Sequence, residues 1–132
     1  MPETNPSSLR VLVVDDCRDH TESLAILLRL WGHEALIAHD GPGALNLAGA
    51  QCPDVVLLDV GLPGMDGYEV ARRLRRVPGM EKALLLTVSG YAQEADRERA
   101  LAAGCADHLV KPVDLTMLRA RLAGWGRPAV GA

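Results

Sequence analysis

The chain has 132 residues, 48% of them hydrophobic, and a formal net charge of −3. That length supports one domain with a genuine core and is too short for two. Acidic and basic residues are interspersed, so no basic stripe argues for nucleic acid, and no run nears the roughly 18 to 20 apolar residues of a membrane span. Phe is absent and the aromatics are Trp31, Tyr68, Tyr91 and Trp125, so the core falls to Leu, Val, Ile and Ala. Cys17, Cys52 and Cys105 are odd in number and far apart, which predicts reduced thiols rather than bridges or metal ligands. With no signal-like N-terminus, the expected location is cytoplasmic, without membrane insertion.

In chain order, residues 1–8 read as a disordered lead-in, 9–123 as the domain and 124–132 as a tail. Arg10 to Val14 predicts the first strand, and Asp19-His20-Thr21 opens a helix with Leu24, Leu27, Leu28 and Trp31 at helical spacing until Gly32. Ala35 to Ala38 is the second strand. Asp40-Gly41-Pro42 caps a helix running to about Gln51, Pro53 breaks it, and Val55 to Asp59 is the most hydrophobic strand. Gly61 to Gly67 is a loop whose Asp66 caps a helix with Val70, Ala71 and Leu74 on one face, ended by Pro78-Gly79. Leu84 to Val88 is the fourth strand, Ala92 to Ala103 a helix closed by Gly104, and Ala106 to Val110 the fifth strand. Asp114 to Leu122 is a last helix with Leu115, Leu118 and Leu122 inward. Five β-α units with short connections predict a doubly wound α/β fold, a five-stranded parallel sheet with right-handed crossovers and helices on both faces. The fourth helix, with Ala92, Ala95, Ala100 and Ala103, buries least and is the element expected to shift.

Apolar strands of a parallel sheet bind ligands beyond their carboxyl ends. Here those ends carry Asp15-Asp16, Asp59, Ser89 and Lys111. Clustered carboxylates repel one another unless a cation is present. Mg²⁺ suits them, because it takes oxygen ligands through one or two carboxylates together with water and phosphate oxygens. Asp16 and Asp59 are expected to bind directly, and Asp15 directly or through water.

Four such signals in order carry a resemblance. The series Val13-Val14-Asp15-Asp16, Leu57-Leu58-Asp59-Val60-Gly61-Leu62-Pro63-Gly64-Met65-Asp66-Gly67, Ser89-Gly90-Tyr91 and Val110-Lys111-Pro112 resembles the receiver domain of two-component response regulators over about residues 9–123. The resemblance implies a flavodoxin-like strand order, 2-1-3-4-5. It implies that Asp59 accepts a phosphoryl group from a phosphohistidine on a sensor histidine kinase or histidine phosphotransfer protein, and that the Gly61 carbonyl joins Asp16 and Asp59 at Mg²⁺. Lys111 would pair with Asp59 and then with a phosphoryl oxygen, and the Ser89 hydroxyl would donate to another. Ser89 stands where many receivers have Thr. His108 stands where they often have Tyr or Phe, and would turn inward as Ser89 is drawn to the phosphate. Tyr91 lies where the family tunes phosphoryl loss. The resemblance further implies a cis Lys111-Pro112 peptide and an output surface on the fourth helix, fifth strand and fifth helix.

Such a domain is not an enzyme beyond its own phosphoryl acceptance and loss. An aspartyl-phosphate hydrolase would resemble others of its kind in a second acid two residues past the nucleophile, where this chain has Gly61. A flavodoxin-like electron carrier would bring a flavin phosphate against Asp15-Asp16-Cys17-Arg18, which repels it. A receiver-like module that has lost phosphorylation is disfavoured by the intact acid, hydroxyl and lysine set. Ser89-Gly90-Tyr91-Ala92 and Asp107-His108-Leu109-Val110-Lys111-Pro112 also resemble hybrid-kinase receivers, leaving open a complete single-domain regulator or a receiver from a longer protein.

Overall fold

A computed structural model describes residues 8–61, 64, 66–90 and 94–124. The Val- and Leu-rich runs form strands β1 (Arg10–Val14), β2 (Glu34–Ala38), β3 (Val55–Asp59), β4 (Leu84–Ser89) and β5 (Asp107–Val110). Between and after them lie α1 (Arg18–Leu30), α2 (Gly41–Gln51), α3 (Gly67–Arg76), α4 (Glu94–Ala102) and α5 (Leu115–Gly124). All five strands pair in parallel in the order β2-β1-β3-β4-β5, the doubly wound, flavodoxin-like arrangement expected. β3 and β4 are buried along their whole length, which is why they read as continuous apolar runs rather than alternating ones.

Alternation shows instead in which face each residue serves. Leu12, Val14, Val56, Leu58 and Leu85 pack with Ala44, Ala48, Val70 and Leu74 beneath α2 and α3, and Ala100 of α4 and Ala103 just after it join them. Val11, Val13, Leu57, Leu86 and Val88 pack with Ala25, Leu28, Leu118 and Leu122 beneath α1 and α5. Capping chemistry sets several boundaries. The Asp40 carboxylate accepts from the Gly43 N–H at the start of α2, and that of Asp66 accepts from the Tyr68 N–H at the start of α3. Gly67 is required at that start, since a Cβ there would collide with the backbone of Val60.

Several details differ from the sequence reading. α1 begins at Arg18, so Asp19 lies inside its first turn. The Asp15 carboxylate takes the Cys17 N–H at 2.9 Å and turns the chain into the helix within three residues of β1. β5 starts at Asp107 rather than Ala106. Leu115 is not buried but 42% exposed, because the first turn of α5 borders an open cleft facing α1. Ala95 is exposed, whereas Ala100 and Ala103 are buried as expected. The lead-in up to Ser7, the tail from Trp125, Tyr91 and Ala92 lie outside the described residues. The three cysteines are free, and burial pushes the Cys105 thiol up to about 11. Among the described residues no helix is long and apolar enough to cross a membrane.

Candidate functional site

Because β1 and β3 are neighbours, with Val14 beside Leu58, the residues that follow them meet at one edge of the sheet. Asp15 and Asp59 are buried and Asp16 is exposed. A carboxylate oxygen from each of the three lies within 4.8 Å of the others. In an octahedron with magnesium–oxygen bonds of 2.0–2.1 Å, ligand oxygens stand about 3 to 4 Å apart, so small side-chain adjustments would close this set on one ion. The donors are all hard oxygens, the chemistry Mg²⁺ prefers.

Lys111 follows β5, where its N–H bonds the Ser89 carbonyl at 2.7 Å, and its peptide bond to Pro112 is cis, as expected. Its Nζ donates to Asp59 Oδ2 at 2.9 Å and to Asp15 Oδ2 at 3.4 Å. Burial opposes the ammonium charge, but Asp59, through its hydrogen bond and its charge, and then Asp15 outweigh that effect and hold Lys111 above the usual lysine range. The other Asp59 oxygen accepts the Gly61 N–H at 2.8 Å, which fixes the carboxylate plane. Asp15, Asp16, Asp59 and Lys111 are therefore brought together, and Gly61 with them.

Ser89 ends β4, buried, and His108 lies on β5 facing the same side. The sequence reading has His108 turning inward only on activation. Here it is already inward, because two hydroxyls satisfy its ring: Nδ1 is 2.7 Å from Thr87 Oγ1 and Nε2 is 3.2 Å from Ser89 Oγ. Thr87 went unnoticed, although it lies two residues before Ser89 and directly beside His108 in the strand register. His20 was also missed. Its Nδ1 is 3.6 Å from Asp15 Oδ2, and its place four residues after Asp16 on the first turn of α1 is the signal that points to it. A third unforeseen feature is a cleft of about 490 Å³ between α1 and α5, floored by Val13, Leu57 and Val88, with Asp59 and Lys111 at its mouth. Tyr91, the remaining candidate, is outside the described residues.

A parallel sheet in this order, with three carboxylates and a lysine at its carboxyl edge, is the arrangement of a signalling receiver domain. The model of the response regulator receiver domain family matches residues 11–123, and the chain belongs to that family. Response regulator PleD of Caulobacter vibrioides is 39% identical over 115 residues, covering 87% of this chain, which spans 25% of PleD. The structure of the chemotaxis protein CheY4 of Vibrio cholerae superposes with a TM-score of 0.82 at 28% identity, over 87% of this chain and 96% of CheY4. The receiver domain of Ssk1 from Saccharomyces cerevisiae, solved in complex with the histidine phosphotransfer protein Ypd1, gives a TM-score of 0.82 at 25% identity. That match covers 90% of this chain and 89% of the other.

Proposed function

We propose that Asp59 is a phosphoacceptor, taking its phosphoryl group from a phosphohistidine on a sensor histidine kinase or histidine phosphotransfer protein in the cytoplasm. The observation that carries this reading is the Asp59 carboxylate, oriented by Gly61 and neutralised by Lys111 at 2.9 Å beside two further carboxylates. In the transfer, an Asp59 oxygen forms the new P–O bond as the P–N bond of the donor breaks. The donor imidazole leaves with that electron pair. Such displacement needs little beyond positioning and charge neutralisation. Lys111 passes from the Asp59 oxygen to a phosphoryl oxygen, and the Ser89 hydroxyl supplies a second donor.

Asp16 and Asp59 would hold Mg²⁺ directly, with the Gly61 carbonyl. Both Asp15 oxygens already have partners in Cys17, Lys111 and His20, which favours ligation by Asp15 through water. When bound, the ion supplies positive charge against the phosphoryl oxygens. The cleft between α1 and α5, with exposed Ile26 and Leu30 on α1, offers the donor protein an apolar seat ending at Asp59. Exposed Leu101, Val110 and Met117 on α4, β5 and α5 suit the output surface. The protein catalyses only its own phosphoryl acceptance and loss.

Incubation with Mg²⁺ and acetyl phosphate, followed by intact mass, tests this. The expected result is one phosphoryl increment, absent without Mg²⁺ and absent in Asp59→Asn. Undiminished incorporation in that variant refutes the assignment.

A further inference from the structure

Arg75, on the last turn of α3, spreads its guanidinium over four main-chain carbonyls. Nη1 donates to those of Met80, Glu81 and Ala83 at 3.0, 3.1 and 2.8 Å, and Nη2 donates to that of Gly104 at 2.7 Å. Nη1 has two hydrogens for three carbonyls, so one hydrogen is shared. The first three carbonyls belong to the segment that leads into β4, and the fourth lies just past the end of α4. One side chain thus ties the C-terminal end of α4 to the entry of β4. The backbone reinforces that end: the Gly104 N–H reaches the Leu101 carbonyl at 3.1 Å, the Cys105 N–H that of Ala100 at 2.9 Å, and the Ala106 N–H that of Leu85 at 2.7 Å. The φ of 95° at Gly104 lets the chain turn there, and Ala100, Ala103 and Cys105 are buried.

The other half of the helix is held differently. Ala95, Arg97, Glu98 and Arg99 are exposed. The side-chain ties there are long: Tyr68 Oη is 3.5 Å from the carbonyl and from Oδ1 of Asp96, Arg99 Nη2 is 3.4 Å from Asp66 Oδ2, and Arg97 Nε is 3.8 Å from Asp107 Oδ1. Exposed ion pairs of that kind hold weakly in water. We infer that Arg75 makes the C-terminal end of α4 a fixed pivot, so that α4 moves by swinging its N-terminal half about Gly104. The free half is the one that follows β4 at the carboxyl edge of the sheet, where Asp59 ends β3 beside it. A partner that reads the state of Asp59 on this helix therefore has to touch the turn from Asp96 to Arg99, and a contact with Gly104 to Ala106 carries no signal. Arginine suits the pivot because its planar fork reaches in two directions at once, whereas the single nitrogen of a lysine cannot span both the β4 entry and Gly104. The pivot stands independently of phosphorylation. Only the cause of the swing rests on the phosphoacceptor reading of Asp59.

Nitrogen relaxation dispersion on the resting protein tests the pivot, because it reads motion on the microsecond to millisecond scale. Exchange broadening is expected at the Ala95 to Arg99 amides and not at Gly104 to Ala106. Equal broadening at both ends, or none at either, overturns the pivot. Alkylation of Cys105 by iodoacetamide, followed by peptide mass mapping, reads the clasp itself, since that thiol is buried and pushed up to about 11. Arg75→Lys should speed this alkylation about tenfold by raising local opening, and should spread the broadening to Gly104 to Ala106. Arg76→Ala, at an exposed neighbour, should change neither. Unchanged alkylation in a folded Arg75→Lys protein overturns the role of the side chain, and if that variant does not fold, dispersion in the native chain still decides the pivot. Mg²⁺ with beryllofluoride should shift the Ala95 to Arg99 amide signals and leave those of Gly104 to Ala106 in place, and equal shifts at both ends overturn the swing. If the Asp59 and Gly61 amides do not respond at all, phosphorylation at Asp59 is what fails, and dispersion and alkylation still decide the pivot.

Discussion

Lys111 is the residue on which the site's electrostatics converge, since one ammonium serves two buried carboxylates at 2.9 and 3.4 Å. A hydrogen bond to a charged group contributes about 1.5 to 3 kcal/mol, and each 1.36 kcal/mol of barrier is about tenfold in rate. Lys111→Ala should therefore slow phosphorylation by acetyl phosphate by roughly tenfold to a hundredfold in a mass-resolved time course. Mg²⁺ binding, measured by isothermal titration, should persist, because the lysine supplies no ligand and its removal leaves the carboxylates more in need of a cation. Loss of Mg²⁺ binding would contradict this division of labour. The lysine was legible because it ends an apolar run, as Asp59 does. Its sharing with Asp15 was not, since that depends on the ends of two strands that are not neighbours in the sheet, 96 residues apart in sequence, converging over one edge.

At the scale of elements, α4 is anchored in an unusual way. It contributes small alanines to the core, as its composition foretold, and its tie to α3 is polar. The Arg99 guanidinium lies 4.3 Å from the centroid of the buried Tyr68 ring, and its Nη2 is 3.4 Å from Asp66 Oδ2. Because Asp66 and Tyr68 open α3 directly after the loop that follows Asp59, this contact joins the phosphoacceptor strand to the helix expected to move. A cation–π contact contributes about 0.5 to 1 kcal/mol at an exposed site, and an exposed ion pair about 0 to 1 kcal/mol. Arg99→Ala should raise hydrogen exchange at the Ala100 to Ala103 amides roughly fivefold while leaving β1 and β3 unchanged. Equal protection in the variant would show that the backbone contacts of α4 with β5 suffice. Helical periodicity reveals which alanines face inward, but not a pairing of Arg99 with a ring 31 positions earlier.

For the molecule as a whole, His33 couples acidity to stability. Its Nδ1 accepts the Leu9 N–H at 3.0 Å, joining the turn after α1 to the entry of β1. Burial and then the nearby Arg119 charge lower its pKa from the usual 6.5. The unfolded chain therefore takes up this proton first as pH falls, so the stabilisation is complete above about pH 6.5 and is lost progressively below it. The Tm should drop between pH 7 and pH 5.5, and His33→Gln, whose amide oxygen can still accept the Leu9 N–H, should drop less over the same range. Equal slopes would show that other groups set the acid response. The chain by itself determined the alternation of five strands and five helices, the inward stripes of most of them, and the strand-end acids, hydroxyl and lysine. Each of these is a local matter of periodicity, capping and where an apolar run stops. Only the tertiary structure decided that Lys111 spans Asp15 and Asp59, that His108 rests between Thr87 and Ser89, and that Leu115 borders an open cleft between α1 and α5. Those contacts join side chains far apart in sequence, and strand order and helix seating settle them through packing over the whole sheet, which no local pattern records.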